Sequence, residues 1–126
     1  MNDAPPGGET DAPDTYLIVL RHVLVAQDIA MTIAEHDPAA QVIVAANGTE
    51  AVPKLDGIGQ VAVAFVGKGP DDFRGSSLAS ALAERSGRVV LMGEEAEAQG
   101  EVQGFAVLTR PFTTGNILLH LMSERG

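Results

Sequence analysis

The sequence predicts an α/β domain with a five-stranded parallel sheet, and three observations predict it. Five short aliphatic runs are separated by segments of helical character. Hydrophobic residues make up 45% of the chain and aromatics only 4%, so the core is built from Val, Leu, Ile, Ala and Met. Such strands suit a sheet buried on both faces by helices. Regular alternation of strand and helix then implies parallel pairing through right-handed crossovers.

The first run covers residues 16–20 and is short enough for a buried strand. Val25, Ile29 and Ile33 recur at four-residue spacing beside Ala26, Ala30 and Ala34, which marks one face of a helix. That helix ends near His36 and Asp37, because Pro38 disfavours helical geometry at the residue before it. Residues 41–46 form a second strand, closed by Asn47 and Gly48, and residues 49–55 a short helix limited by Pro53. Residues 61–66 are the third apolar run, and residues 67–72 read as a loop. Residues 76–85 form a helix with Leu78, Ala79, Leu82 and Ala83 facing inward. Residues 88–92 are a fourth strand, whereas 94–104 are Glu-rich and broken by glycines, leaving room for a short helix only. Residues 105–108 are the fifth strand. Thr113 is placed to cap a last helix that buries Ile117, Leu118, Leu121 and Met122. The expected fold is a flavodoxin-like three-layer sandwich, strand order 2-1-3-4-5, with a shortened fourth helix.

The 126 residues are enough for one domain, here expected over 15–126. Residues 1–14 carry four acids, no base and three prolines, and read as a disordered acidic leader. They have neither a basic nor an apolar region of the kind a secretory signal needs. A net charge of −9 and a pI near 4.5 argue against sequence-independent nucleic-acid binding and against anionic membrane surfaces. No apolar run approaches the roughly 20 residues that span a bilayer. The lack of cysteine excludes disulfides, thiolate metal sites and Cys nucleophiles. The expected location is the cytoplasm.

Ligands of such sheets bind at the carboxyl ends of the strands, near the switch point between strands 1 and 3. The residues there are Arg21 and His22 after strand 1, Val66, Gly67 and Lys68 at the end of strand 3, Gly93 and Glu94 after strand 4, and Thr109, Arg110 and Pro111 after strand 5. Leu108, Thr109, Arg110, Pro111 and Phe112 together resemble the strand-5 motif of response-regulator receiver domains, which ends in Lys-Pro-Phe. Residues 16–34 resemble their first strand and helix, 47–51 the turn opening their second helix, and 70–75 their loop after strand 3. The similarity covers roughly residues 15–123.

The resemblance implies a phosphorylated Asp at the end of strand 3, and two acids after strand 1 that help hold Mg²⁺. It also implies a Thr or Ser after strand 4 and a Lys after strand 5 that contact the phosphoryl oxygens. Those positions here hold Val66, then Arg21 and His22, then Gly93 and Arg110. A slip of one residue would place Phe65 or Gly67 at the acceptor position. The chemistry fails on physical grounds. Val66 offers no carboxylate nucleophile, and arginine has only donors and ligates no metal. Neither a metal site nor a cofactor is therefore expected, and no catalytic residue. The histidines lack metal-ligand spacing: His36 sits near a helix end and His120 on the outer face of the last helix.

Two readings of Arg21, His22, Lys68 and Arg110 remain open. They could form an anion site, which arginine's bidentate geometry suits. Alternatively they pair locally with Glu94, Glu95, Asp71 or Asp72. The leading expectation is a non-phosphorylatable receiver-like module that acts by protein contact in a two-component or related regulatory system, and not an enzyme. Its partner would be a kinase, a regulator or an active receiver. A homodimer could form through the face of strand 5 and the last helix, where Leu119 and Met122 could lie exposed. The alternatives are a small-anion or nucleotide sensor, and a conventional phosphorelay receiver whose acceptor is displaced to Asp71 or Asp72.

Overall fold

The computed structural model describes residues 14–110 and 113–122. The expected leader lies almost wholly outside the described residues, as do Pro111 and Phe112. The elements run β1 (Thr15–Val19), α1 (Val23–His36), β2 (Gln41–Ala45), α2 (Gly48–Lys54), β3 (Val63–Val66), α3 (Pro70–Arg74), α4 (Ser77–Glu84), β4 (Arg88–Met92), α5 (Glu94–Gln99), β5 (Ala106–Leu108) and α6 (Thr114–Met122). The strands form one parallel sheet in the order β2-β1-β3-β4-β5, as the alternation of runs predicts.

Successive side chains of the central strands point to opposite faces, and both faces are buried. Tyr16, Ile18, Phe65, Val90 and Met92 pack on one side against Ala26, Ile29 and Ile33 of α1 and Ile117 and Leu121 of α6. Leu17, Val19, Ala64, Val66 and Leu91 face the other side, against Ala51 of α2, Phe73 of α3, Leu78 and Leu82 of α4 and Ala96 of α5. The apolar runs lack a two-residue polar alternation because they are covered twice.

The starts of α2, α4 and α6 follow local side-chain chemistry. Asn47 Oδ1 accepts from Glu50 N at 2.9 Å, while Glu50 Oε1 accepts from Ala46 N at 3.2 Å. Ser76 Oγ accepts from Ala79 N at 3.2 Å. Thr113, expected as a cap, accepts from Asn116 N at 3.2 Å, and Asn116 Oδ1 accepts in return from Thr113 N at 2.8 Å. Each pair satisfies amides that the first helical turn leaves without partners. At the edge of the sheet, Lys54 Nζ donates to Val44 O at 2.9 Å and pairs with Glu50 at 3.2 Å.

Three expectations need correction. The stretch read as a loop over 67–72 contains the start of α3. Pro70 fits a first helical position, Asp71 and Asp72 suit the first turn, and buried Phe73 anchors the segment. Arg74 then holds it: its guanidinium donates to Gln103 Oε1 at 2.5 Å and lies 5.1 Å from the centroid of the Phe105 ring. In α4 the inward residue is Ala81, not Ala83, which is exposed. The inward face follows the spacing 78, 81, 82. In α6, Ile117 and Leu121 are buried but Leu118 only partly so. The side chain of Met122 lies outside the described residues.

The segment between β4 and β5 is short, as its glycines and glutamates predict. Its helix, α5, has six residues and ends at Gly100, where a Cβ would meet Ala96 O at 2.6 Å.

Candidate functional site

The carboxyl ends of β1, β3, β4 and β5 open into one cavity of about 300 Å³. Leu20, Arg21, His22, Val25, Gly67, Met92, Gly93 and Arg110 line it. Five of the residues singled out in the sequence, Arg21, His22, Gly67, Gly93 and Arg110, therefore meet around one space. Lys68 is half-buried beside this rim but is not in the lining, and neither is Val66.

Strand geometry explains the absence of Val66. It is fully buried, and its side chain lies on the sheet face that carries α2 to α5. The cavity opens toward the other face, where Leu20 and Met92 join the layer beneath α1 and α6. Gly67 is the first residue of β3's exit to reach the cavity. A Cβ there would sit 2.7 Å from Leu20 Cδ2, so the backbone approaches Leu20 more closely than a side chain permits.

Gly93 adopts φ +112 and ψ 174, a conformation that L side chains rarely take. It makes the turn from β4 into α5 and leaves the cavity wall bare. A β-branched hydroxyl residue could enter this position only with strain or a change of backbone.

Arg21 and His22 follow β1 and are exposed. His22 occupies the position before α1, and its side chain makes no capping hydrogen bond. No acid lies in the first turn of α1. Among the described residues, neither Arg21 nor His22 forms an ion pair.

Arg110 is engaged. Its Nε donates to Glu97 Oε2 at 2.9 Å and its Nη2 to Glu97 Oε1 at 3.2 Å, while its backbone N–H donates to Glu97 Oε2 at 2.9 Å. The side-chain hydrogen bond from Arg110, followed by the one from its backbone, lowers the pKa of Glu97. The same contact raises that of Arg110. Local pairing was expected of Arg110, but with Glu94, Glu95, Asp71 or Asp72. The partner is Glu97, because Ala96 and Gly100 turn inward on α5 and leave Glu97 beside the end of β5. Glu95 instead lies across Gly69, where a Cβ would meet Glu95 Cβ at 2.9 Å. Asp71 and Asp72 sit exposed on α3, outside the cavity lining.

Sequence reasoning missed Glu97 as a member of this rim, and the apolar wall of Leu20, Val25 and Met92. The first depends on the helical phase of a six-residue segment. The second depends on which face each strand's last residue takes.

A second depression, of about 390 Å³, lies beside β5 and α6. Glu101, Val107, Leu108, Thr109, Asn116, Leu119 and His120 line it. Leu119 is 65% exposed, and Val102 in the nearby turn is 89% exposed. His120 is half-buried here and not on an open outer face. Burial lowers its pKa, against a smaller opposing effect of a hydrogen bond with the Val107 backbone. Its carbonyl accepts from Arg88 Nη1 at 3.0 Å, which ties α6 to the start of β4.

Among the described residues, no group of three or more His, Cys, Asp or Glu is placed to hold a metal ion. No helix among them is long and apolar enough to cross a membrane.

No protein-family model matches the chain, and no curated protein matches it. Solved structures do. The chemotaxis protein CheY4 of Vibrio cholerae, in a crystal grown at pH 4.0, is 19% identical with a TM-score of 0.64, over 87% of this chain and 97% of that one. A response regulator receiver protein of Sinorhizobium medicae is 17% identical with a TM-score of 0.63, over 89% and 93%. The chain has the receiver-domain fold. On that receiver fold, the carboxyl rim of the sheet carries two arginines, a histidine and two glycines around a partly apolar cavity.

Proposed function

We propose that this protein is a receiver-like signalling module that takes no phosphoryl group and acts through contact with other proteins in a two-component or related regulatory system. One observation carries the reading: among the described residues, no carboxylate lines the cavity at the carboxyl end of the receiver sheet. By the resemblance, the acceptor position falls on Val66, which is buried and faces away from the cavity, the positions of the cation-holding acids fall on Arg21 and His22, and the Thr or Ser position falls on Gly93, whose backbone suits neither. Without a nucleophile and without oxygen ligands for a hard cation, an acyl phosphate has no route to form. On this reading the protein is not an enzyme. The exposed Leu119 and Val102 beside the β5–α6 depression offer the apolar surface that a partner, including a second copy, would cover.

The test is beryllofluoride with Mg²⁺, followed by amide NMR. Spectra should remain unchanged. Specific shifts at Val66 and Gly67 would overturn the reading, and shifts centred on Asp71 and Asp72 would favour a displaced acceptor.

A second reading is favoured by Arg21. It lines the cavity without an acidic partner among the described residues, on a chain of net charge −9. That asymmetry suits capture of a small anion, with the module reporting ligand occupancy to its partner.

A further inference from the structure

We propose that the rim cavity binds a small apolar monocarboxylate, and that Glu97 is a resident competitor that holds Arg110 until such a ligand arrives. The proposal rests on the anion-binding reading of Arg21 and narrows it to a ligand class and a means of control.

The ionic pattern of the molecule comes first. Among the described residues, Lys54, Arg74, Arg85 and Arg110 each pair with an acid, and Arg88 donates to a backbone carbonyl. Among the described residues Arg21 and Lys68 have neither kind of partner, and of the two it is Arg21 that lines a cavity. An arginine's planar fork matches a carboxylate, and the rim already contains one such match. Glu97 spans Nε and Nη2 of Arg110 at 2.9 and 3.2 Å. The site thus displays the group it recognises, supplied from within the chain.

The walls choose among anions. Leu20, Val25 and Met92 form an apolar side, while Gly67 and Gly93 contribute no side chain. A strongly hydrated inorganic phosphate gains nothing from such a wall. A carboxylate on a compact ring or branched chain places its charge at Arg21 and its apolar body against these three residues. The volume, about 300 Å³, is at the small end of ligand cavities. It suits a small acid better than a dinucleotide.

The control follows from the hydrogen bonds. A ligand carboxylate that takes the Nε–Nη2 fork of Arg110 displaces Glu97 from it. Glu97 then turns to solvent, and α5 loses its ionic tie to the end of β5. Binding at the rim would in this way be communicated to the α5–β5 segment, which borders the exposed Val102 and Leu119.

Benzoate is a suitable probe, with benzamide as its neutral isostere and inorganic phosphate as a hydrated anion. Each is titrated into the full chain while amide NMR follows Gly67 and Gly93. Benzoate should give saturable shifts at both glycines and benzamide none. Arg21→Ala should weaken benzoate by about tenfold or more, the usual cost of a lost charged hydrogen bond. Arg21→Lys should retain part of the affinity. Glu97→Gln should tighten benzoate severalfold, with unchanged shifts far from the rim reporting an intact fold. Unchanged affinity in Glu97→Gln would overturn the competitor role. Phosphate binding at least as tightly as benzoate would overturn the ligand class while upholding the wider anion reading. Silence with both anions would overturn both, and leave the partner-contact reading standing.

Discussion

The interior of the sheet and its carboxyl rim are built on different principles. In the interior, Leu17, Ile18, Ala64, Phe65, Val90 and Leu91 are fully buried on two faces. Many close neighbours fix each of them, so the interior is specified redundantly. At the rim, Arg21 and His22 are exposed, Gly67 and Gly93 lack side chains, and Arg110 is held by one carboxylate. Few contacts fix each of these groups. The fold therefore places few demands on the charge of Arg21 and His22, while it holds positions 67 and 93 to glycine.

The largest effects are expected where the interior is broken. Phe65→Ala should cost about 3–5 kcal/mol, read as a lowered denaturation midpoint at an unchanged slope. Val66→Asp should be similarly damaging at neutral pH, because it buries a carboxylate among aliphatic neighbours. Its folded-state pKa would rise, so the folded form binds the extra proton. Stability should then be partly regained as pH falls. A well-tolerated Val66→Asp would break the distinction between interior and rim at β3.

A smaller loss is expected at Gly93. Gly93→Thr should cost about 1–3 kcal/mol, from backbone strain and not from crowding, since no atom lies within 4 Å of an ideal Cβ there. Gly93→Ala should show much of the same cost, and equal stability of all three chains would remove the backbone argument. Ser76→Ala should cost about 1 kcal/mol in thermal or chemical denaturation, through loss of the α4 cap.

The smallest effects are pH-dependent. The folded-state pKa of Glu97 lies below its ordinary 4.5, so its contribution is present above that value and is lost as pH falls through the folded pKa. Glu97→Gln should flatten the acid limb of a stability-against-pH curve. His120 is also lowered, from 6.5. Its neutral form suits the folded state, so stability should fall as pH drops below about 6.5 toward the folded pKa. His120→Gln should remove that window and leave the Glu97 limb in place.

The interior was legible in the sequence because continuous aliphatic runs have one physical solution in an alternating α/β chain. The runs at 16–20 and 88–92 each map onto a central strand, shifted at most by an end residue. The rim was legible in part. Position after a strand was enough to bring Arg21, His22, Gly93 and Arg110 to one cavity. It could not place Val66, whose side chain takes the opposite face, nor Glu97, whose partner depends on the phase of a six-residue helix. The helix at Pro70 was missed because its signals, a proline and two aspartates, are also those of a turn. Its anchor, the edge-to-face contact of Phe73 with Phe105 at 5.8 Å, joins residues far apart in the chain.

Lys54 bears on how these molecules behave in a crowded solution. Strand β2 forms an outer margin of the sheet and leaves Val44 exposed, so its free carbonyls and amides could template a strand from another molecule. The Lys54 ammonium already occupies the carbonyl of Val44, and a strand arriving there would have to displace a charge from its partner. Growth of the sheet from one molecule into the next is thereby discouraged on the β2 side.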